Sequence, residues 1–120
     1  MKVLVIDDDA DVRFVAAMSL RAGAAIDVVE ASSGLDGIRK AREERPDVIL
    51  LDMMMPVMDG SQTLAALRMQ GETSTTPVIF LTAKTLAAEI QRMKDLGAAG
   101  VLIKPFDPRT LAANVLALVT

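Results

Sequence analysis

Side chains able to hold a divalent cation and a phosphoryl group follow four short apolar runs of the chain. The runs begin at Val3, Val48, Val78 and Val101, and they lead into Asp7-Asp8-Asp9, Asp52, Thr82 and Lys104-Pro105. Short β-branched runs that alternate with helical patterns predict the strands of a parallel sheet. Ligands of such a sheet bind outside the carboxyl ends of its strands. The sequence therefore predicts carboxylates, a hydroxyl and an ammonium along one edge, a set suited to phosphoryl transfer.

Three of these carboxylates predict a metal site. Asp7 and Asp8 follow the first strand and Asp52 follows the third, so we expect them to meet where those strands lie side by side. Two carboxylates about 5 Å apart repel by about 3 kcal/mol at an effective dielectric of about 20 unless a cation neutralises them. The chain has no histidine and no cysteine, and oxygen ligands beside a phosphate favour Mg²⁺. We therefore predict Mg²⁺ as the cofactor.

Each of these residues also has an ordinary structural explanation. A single Asp between a strand and a helix is commonly a helix cap worth ~1 kcal/mol, and Asp9 or Asp11 suits that role. Lys104 alone would be a surface lysine, and Thr82 alone suits the end of a strand. A cap, however, requires neither three consecutive aspartates nor another at the end of a neighbouring strand. The combination favours the functional interpretation.

Composition excludes several other functions. The 120 residues are 52% hydrophobic and 24% charged, which is typical of one folded domain. Without cysteine or histidine, the chain has no zinc-thiolate site, no cysteine nucleophile and no phosphohistidine of its own. The net charge is −3 and Lys and Arg are scattered, so we expect no direct nucleic-acid binding. No apolar stretch reaches the ~20 residues of a membrane span and no signal peptide is visible, so we expect no membrane contact and a cytoplasmic location.

Strand and helix patterns alternate five times, which predicts a doubly wound α/β domain with a five-stranded parallel sheet and helices on both faces. We expect the strand order 2-1-3-4-5, with the second strand at residues 26–30 and a polar loop at residues 71–77. The predicted helix faces carry Val12, Val15, Ala16, Ser19 and Leu20; Leu35 and Ile38; Leu64 and Leu67; Leu86, Ile90, Met93 and Gly97; and Leu111, Val115 and Leu118. The predicted boundary residues are Gly23 at the end of the first helix, Ser32-Ser33 and Pro46 around the second, Asp59 capping the third, and Pro108 near the start of the fifth.

The motifs at the strand ends resemble the receiver domain of two-component response regulators, including the single-domain chemotaxis regulator. The resemblance covers the chain from end to end, and its fold is flavodoxin-like. The segments that carry it are Leu4-Val5-Ile6-Asp7-Asp8-Asp9, Asp52-Met53-Met54-Met55-Pro56 with Met58-Asp59-Gly60, Leu81-Thr82-Ala83, Gly97-Ala98 and Lys104-Pro105-Phe106.

The resemblance implies a role for each matching residue. Asp52 is expected to accept a phosphoryl group from the phosphohistidine of a histidine kinase or a histidine phosphotransfer protein. The implied ligands of Mg²⁺ are Asp7, Asp8, Asp52 and the backbone carbonyl of Met54. The implied partners of the phosphoryl oxygens are the Lys104 ammonium, the Thr82 hydroxyl and the Ala83 amide. Family members often have a cis peptide at the position of Lys104-Pro105, so this bond is a candidate for one.

Two features bear on how such a switch works here. The family commonly has Tyr or Phe three residues before the lysine, and its ring moves in behind the threonine, whereas this chain has Val101. An aromatic switch is therefore impossible at that position, although we still expect the face of helix 4, strand 5 and helix 5 to change. Met54 and Lys84 lie where an attacking water must approach, and because Met cannot orient water we predict slow self-dephosphorylation. The alternative is that Met53, Met54 and Met55 only fill space.

The overall prediction is a single receiver domain over residues 1–120, without an output domain in this chain. Its output would be a separate target protein or a missing domain, it would be a monomer or a weak dimer, and it would catalyse only its own phosphorylation and dephosphorylation. An aspartyl-phosphate phosphohydrolase is disfavoured because Met54 stands where a second Asp is required. A dinucleotide or flavin binder would need a Gly-rich first turn or aromatic stacking. A degenerate receiver used only for docking is disfavoured because all five site residues are present, although Val101 leaves that alternative open.

Overall fold

Five parallel strands form one sheet in this computed structural model, which describes residues 1–22 and 25–120. The strands are β1 (Lys2–Ile6), β2 (Asp27–Ala31), β3 (Val48–Asp52), β4 (Val78–Thr82) and β5 (Gly100–Ile103). Their order is β2-β1-β3-β4-β5, which confirms the predicted fold class. Every residue of β3 and β4 is buried, because parallel strands in the middle of such a sheet are covered on both faces.

Helices cover both faces of the sheet. They are α1 (Ala10–Ala22), α2 (Gly34–Glu44), α3 (Gly60–Met69), α4 (Ala87–Asp95) and α5 (Leu111–Val119), and a 3-10 turn spans Gly71–Thr73 within the predicted polar loop. Because strand side chains alternate between the two faces, β1 serves two separate cores. Leu4 and Ile6 pack in a cluster with residues of α2, α3 and α4, whereas Val3 and Val5 pack with residues of α1 and α5.

Two predicted helix starts are confirmed by their caps. The Ser33 hydroxyl accepts a hydrogen bond from the Asp36 amide at 3.1 Å and begins α2. The Asp59 carboxylate accepts from the Gln62 amide at 2.9 Å, and the Gln62 side chain accepts from the Asp59 amide at 2.9 Å. This capping box satisfies amides at the start of α3 that have no partner within the helix.

The inner faces of two helices differ from the prediction. Leu35 is 65% exposed and Leu86 is 67% exposed. The inner face of α2 is formed by Gly34, Gly37 and Ala41, and Ile38 is partly buried against the same core, as predicted. Gly37 lies so close to the Ile6 side chain that a Cβ would not fit. Leu86 lies before α4, at its N-cap, and the predicted Gly97 lies beyond the end of α4 at Asp95. Apolar character alone therefore does not identify the face that packs on the sheet.

Three boundaries also differ or lie outside the description. The second strand begins and ends one residue later than predicted, at Asp27–Ala31. Helix α5 begins at Leu111 rather than near Pro108, since residues 108–110 form a turn in which the Asp107 carbonyl accepts from the Thr110 amide at 3.1 Å. The predicted end of the first helix at Gly23 lies outside the described residues. No helix in the described parts of the chain is long and apolar enough to cross a membrane.

Candidate functional site

The carboxyl ends of four strands bring the predicted site residues to one edge of the sheet. In the parallel register Ile6 lies beside Leu51, Asp52 beside Leu81, and Thr82 beside Ile103. The residues that follow or end these strands therefore share one level. They are Asp7 after β1, Asp52 at the end of β3, Thr82 at the end of β4 and Lys104 after β5.

Three carboxylates gather at this edge. Asp7 is fully buried, Asp52 is 4% exposed and Asp8 is exposed, and one oxygen from each lies within 4.8 Å of the others. The Asp9 amide donates to Asp7 Oδ1 at 2.9 Å, and the Met54 amide donates to Asp52 Oδ1 at 3.3 Å. These backbone bonds orient the two buried carboxylates toward each other.

The Lys104 ammonium bridges the two buried carboxylates. Its Nζ atom lies 2.7 Å from Asp7 Oδ2 and 3.1 Å from Asp52 Oδ1. Two buried negative charges so close to each other are unfavourable without a cation. Lys104 thus supplies part of the neutralisation that the cluster requires.

The pairing is visible in the pKa values of Asp52 and Lys104. Burial, and then the charge of Asp7, raise the pKa of Asp52 to about 6, although the Lys104 ammonium opposes this rise. Burial by itself lowers the pKa of Lys104, but its hydrogen bonds to Asp7 and Asp52 outweigh burial and raise that pKa. Two carboxylates share one ammonium. Lys104 therefore has two partners that raise its pKa, whereas Asp52 has half of one ammonium, which does not offset the effect of burial and Asp7 on the Asp52 pKa. At neutral pH Asp52 is still mainly ionised.

The carboxylate cluster fits Mg²⁺. In an octahedral Mg²⁺ site with ligands at about 2.1 Å, ligand oxygens are about 3.0 Å apart when adjacent and about 4.2 Å apart when opposite. The oxygens of Asp7, Asp8 and Asp52 lie within 4.8 Å of one another, so the three would draw closer together around one ion. All three donors are oxygens, as a hard cation prefers. A cation bound there would also lower the pKa of Asp52.

A cavity of about 270 Å³ opens above the cluster. Its lining includes Met54 and Ala83 together with the acidic residues and Lys104. Thr82 is not among the lining residues. It is only 1% exposed, and its hydroxyl accepts a hydrogen bond from the Lys84 amide at 3.1 Å. The structure therefore brings the acidic residues, Met54, Ala83 and Lys104 together, with Thr82 buried at the adjacent strand end.

Comparison with known proteins assigns the chain to a family. A profile of the response regulator receiver domain matches residues 3–116. The chain belongs to this family. The transcriptional regulatory protein ResD of Bacillus subtilis is 41% identical over 118 residues, which are 98% of this chain and 47% of ResD. The DNA-binding response regulator MtrA of Mycobacterium tuberculosis (strain ATCC 25618 / H37Rv) is 36% identical over 114 residues, which are 95% of this chain and 48% of MtrA.

Solved structures agree with this assignment of the receiver domain. The chemotaxis response regulator CheY4 of Vibrio cholerae has a TM-score of 0.90 and 38% identity, and the match covers 98% of this chain and 97% of CheY4. The receiver domain of the Francisella response regulator 1452 has a TM-score of 0.87 and 32% identity, and the match covers 98% of this chain and 95% of that receiver domain. The chain spans about half the length of the curated relatives that it matches.

The structure also shows one predicted peptide bond and the surroundings of Val101, Met54 and Lys84, whose roles stay predictions. The Lys104–Pro105 peptide is cis. Val101 lies beside Phe80 in the sheet and packs against the core cluster that contains it. Met54 is 61% exposed at the rim of the cavity, and Lys84 Nζ lies 3.5 Å from Glu89 Oε1. The side chain of Lys84 is thus directed to an ion pair with α4.

Sequence reasoning missed Arg13. Its Nη1 donates to the backbone carbonyl of Asp7 at 2.8 Å, and its side chain is only 19% exposed. The available signal was an arginine in the second turn of a helix that directly follows the acidic motif.

A second cavity, of about 420 Å³, was also missed. It lies between α1 and the segment after β5, and its lining includes Val12, Val15, Lys104 and Phe106.

Proposed function

We propose that this receiver domain is a phosphorylation switch in which Asp52 accepts a phosphoryl group from a histidine kinase or a histidine phosphotransfer protein. The observation that carries the proposal is the position of Asp52. Its carboxylate is buried, is paired with Lys104 at 3.1 Å, and lines a cavity that a phosphoryl group can enter. Membership of the receiver family supports the same function.

The proposed reaction uses Asp52 as the nucleophile. A carboxylate oxygen of Asp52 forms a bond to phosphorus while the bond between phosphorus and the imidazole nitrogen of the donor breaks. The electron pair of that bond stays on the imidazole, which later takes a proton from solvent. Phosphoryl transfer depends mainly on in-line positioning and on stabilisation of charge. Lys104 would exchange its bond to Asp52 for one to a phosphoryl oxygen.

Asp7, Asp8, Asp52 and the backbone carbonyl of Met54 would hold Mg²⁺. When bound, the ion supplies positive charge next to the phosphoryl oxygens. The carboxylates of Asp7 and Asp8 keep this charge close to Asp52, and Asp7 at the same time holds Lys104 by its 2.7 Å contact. We propose that the domain catalyses only its own phosphorylation and dephosphorylation.

The proposed readout begins at Thr82. The Thr82 hydroxyl now accepts a hydrogen bond from the Lys84 amide at 3.1 Å. To donate to a phosphoryl oxygen, the hydroxyl would turn away from that amide. The amide of Ala83 would be the second donor. Losing the Lys84 bond frees the segment before α4, and α4 buries only Met93 completely, so it resists displacement weakly. Val101 has no ring to move, so in this domain the segment from Lys84 to α4 would transmit the change to the face of α4, β5 and α5.

The lifetime of the phosphoryl group would depend on Met54 and Lys84. The thioether of Met54 neither donates a hydrogen bond nor accepts one well, so it would leave an attacking water without a partner. Lys84 is held by Glu89 on α4. Slow loss of phosphate is therefore the expected behaviour, as in a switch that must persist.

The phosphodonor would approach beside α1. The cavity of about 420 Å³ next to Lys104 is lined by apolar residues of α1 and by Phe106, and Phe14 and Met18 on α1 are 65% and 53% exposed. An apolar surface adjacent to the phosphoacceptor suits a partner that must bring its imidazole to Asp52. The output would be a target protein or a further domain, because MtrA and ResD are about twice as long as this chain.

Phosphorylation by acetyl phosphate tests the proposal. Wild type and Asp52→Asn are incubated with acetyl phosphate, with Mg²⁺ or with EDTA, and their intact masses are measured. We expect one phosphoryl adduct on wild type only with Mg²⁺, and no adduct on Asp52→Asn. A wild type that forms no adduct and also fails to bind beryllofluoride would instead support a receiver used only for docking.

A further inference from the structure

We infer that Arg13 is a positioning residue that sets the geometry of the Mg²⁺ site by holding the peptide between Asp7 and Asp8. The inference rests on the proposed Mg²⁺ site. Arg13 touches neither the phosphoryl cavity nor a carboxylate of the acidic cluster in the contacts of the described residues. It would therefore act through the backbone of the two ligands rather than on the reacting atoms.

The contact of Arg13 is with one backbone atom of the acidic motif. Its Nη1 donates to the carbonyl oxygen of Asp7 at 2.8 Å. That carbonyl belongs to the peptide bond joining Asp7 to Asp8, and a peptide bond is planar. A partner that fixes the carbonyl therefore fixes the orientation of the whole peptide plane between the two proposed ligands.

The guanidinium is itself held in place from the other side. Its Nε lies 3.6 Å from Glu30 Oε1 on β2, and the Arg13 side chain is only 19% exposed. Glu30 also lies 4.0 Å from Arg21, which is 54% exposed. Arg13 thus connects α1, β2 and the loop after β1 through a planar group with donors in fixed directions.

Asp8 is the ligand that depends on this arrangement. Asp7 is oriented by its own side-chain bonds, since Oδ1 accepts from the Asp9 amide at 2.9 Å and Oδ2 accepts from Lys104 at 2.7 Å. Within the described residues, the Asp8 side chain is exposed and has no hydrogen bond or ion pair of its own. Its direction is therefore determined by its backbone, and the peptide held by Arg13 is the part of that backbone nearest to Asp7.

The charge of Arg13 and its positioning role predict opposite changes in Mg²⁺ affinity when Arg13 is removed. A cation near a metal site repels the metal, so on charge alone Arg13→Gln would bind Mg²⁺ more tightly. If Arg13 positions Asp8, the same variant would bind Mg²⁺ more weakly. Mg²⁺ requires near-octahedral geometry whereas Ca²⁺ accepts irregular sites, so the loss should be larger for Mg²⁺ than for Ca²⁺.

The test measures the dissociation constants of Mg²⁺ and Ca²⁺ by isothermal titration calorimetry for wild type, Arg13→Gln, Arg13→Lys and the control Arg21→Gln. We expect both Arg13 variants to bind Mg²⁺ about tenfold more weakly, the usual effect of losing a group that orients a ligand. Their Ca²⁺ affinity should change less, and Arg21→Gln should match wild type. We expect Arg13→Lys to lose Mg²⁺ affinity as Arg13→Gln does, because a single ammonium cannot contact both Glu30 and the Asp7 carbonyl with fixed geometry.

Several results would overturn the inference. Unchanged or tighter Mg²⁺ binding by Arg13→Gln would leave only a charge effect, and equal losses for Mg²⁺ and Ca²⁺ would indicate general loosening of the domain. Full retention of Mg²⁺ affinity by Arg13→Lys would show that the fixed geometry of the guanidinium does not set the site. If Arg13→Gln does not fold, Glu30→Gln takes its place. A ratio of Mg²⁺ to Ca²⁺ affinity in Glu30→Gln equal to that of wild type would overturn the inference as well. A wild type that binds no Mg²⁺ would refute the proposed metal site itself, whereas the other results leave that site standing.

Discussion

Removal of the Lys104 ammonium leaves two buried carboxylates facing each other. In Lys104→Met the apolar stem remains, while Asp7 and Asp52 stay buried with oxygens within 4.8 Å. Their repulsion at that distance is about 3 kcal/mol at an effective dielectric of about 20. Removing one partner of a buried ion pair costs about 3–5 kcal/mol, which is of the same size. We expect Lys104→Met to lower the free energy of unfolding by about 3 kcal/mol in EDTA at mildly alkaline pH, where both carboxylates are ionised.

Mg²⁺ and acid should each reduce this loss. Saturating Mg²⁺ replaces the missing positive charge, so it should stabilise Lys104→Met more than wild type. The pKa of Asp52 is about 6 even with Lys104 present, so without the ammonium it should be higher still, and in the variant Asp52 should take up a proton as the pH falls through neutral. A carboxyl with a raised pKa destabilises the fold when ionised, and this cost disappears as the pH falls. The difference between wild type and variant should therefore shrink in acid and grow from neutral toward mildly alkaline pH.

Urea unfolding followed by far-UV circular dichroism measures these differences, since the chain has no Trp or Tyr for fluorescence. Lys84→Met is the matched control, because Lys84 is 45% exposed and its ion pair with Glu89 is at the surface. Surface pairs contribute about 0–1 kcal/mol, so this control should change little. The reasoning is refuted if Lys104→Met is as stable as wild type in EDTA, or if Mg²⁺ does not reduce its loss.

Three further predictions concern the loop after β3 and the cap of α3. Asp59→Ala should lower the free energy of unfolding by about 1 kcal/mol in urea titrations, because it removes a helix cap. The bond from the Gln62 amide lowers the pKa of Asp59, so the contribution of the carboxylate should be present above the ordinary pKa of Asp and be lost as the pH falls through the lowered value. Val57→Gly should raise the free energy of unfolding by about 1 kcal/mol, because Val57 has a φ of 68° at the centre of a three-residue turn and is 97% exposed. Met54→Asn should shorten the lifetime of the phosphoryl group, measured as loss of the adduct by intact mass, because its amide can orient water.

Each of these predictions has a control and a contradicting result. Asp59→Asn keeps a capping oxygen and should stay near wild type at neutral pH, so equal losses for Ala and Asn would argue against the cap. Val57→Ala keeps a Cβ and its strain, and it should not be stabilising; a less stable Val57→Gly would show that the turn is relaxed. Met69→Asn changes a methionine that is 87% exposed on α3. If Met69→Asn shortens the lifetime of the phosphoryl group as much as Met54→Asn does, the position of Met54 does not explain the lifetime.

The strand ends were predictable because sequence and geometry are directly linked there. An apolar run that ends in Asp52 and another that ends in Thr82 become adjacent strands, and their parallel register puts both ends at one edge. The carboxylate cluster and Mg²⁺ preference then follow from residue types alone. The cap at Asp59 was predictable for the same reason, since it depends only on residues close to it in the sequence.

Contacts over longer distances were not predictable. Apolar periodicity assigned Leu35 to the inner face of α2, but the close approach to Ile6 selects Gly37 instead, and such a distance is a property of the packed sheet. The contact from Arg13 to the Asp7 carbonyl depends on one rotamer that Glu30 on another strand stabilises. Likewise, nothing in the order of residues shows that one ammonium is shared by two carboxylates.

The most direct test of the phosphorylation proposal is to locate the phosphoryl group in the chain. Wild type phosphorylated by acetyl phosphate with Mg²⁺ is reduced with borohydride, which converts an aspartyl phosphate to homoserine, and the peptides are mapped by mass. We predict homoserine at residue 52 alone, because Asp52 is the buried carboxylate that lines the cavity beside Lys104. Homoserine at Asp7, Asp8 or Asp9, with residue 52 unchanged, would contradict the assignment of the phosphoacceptor.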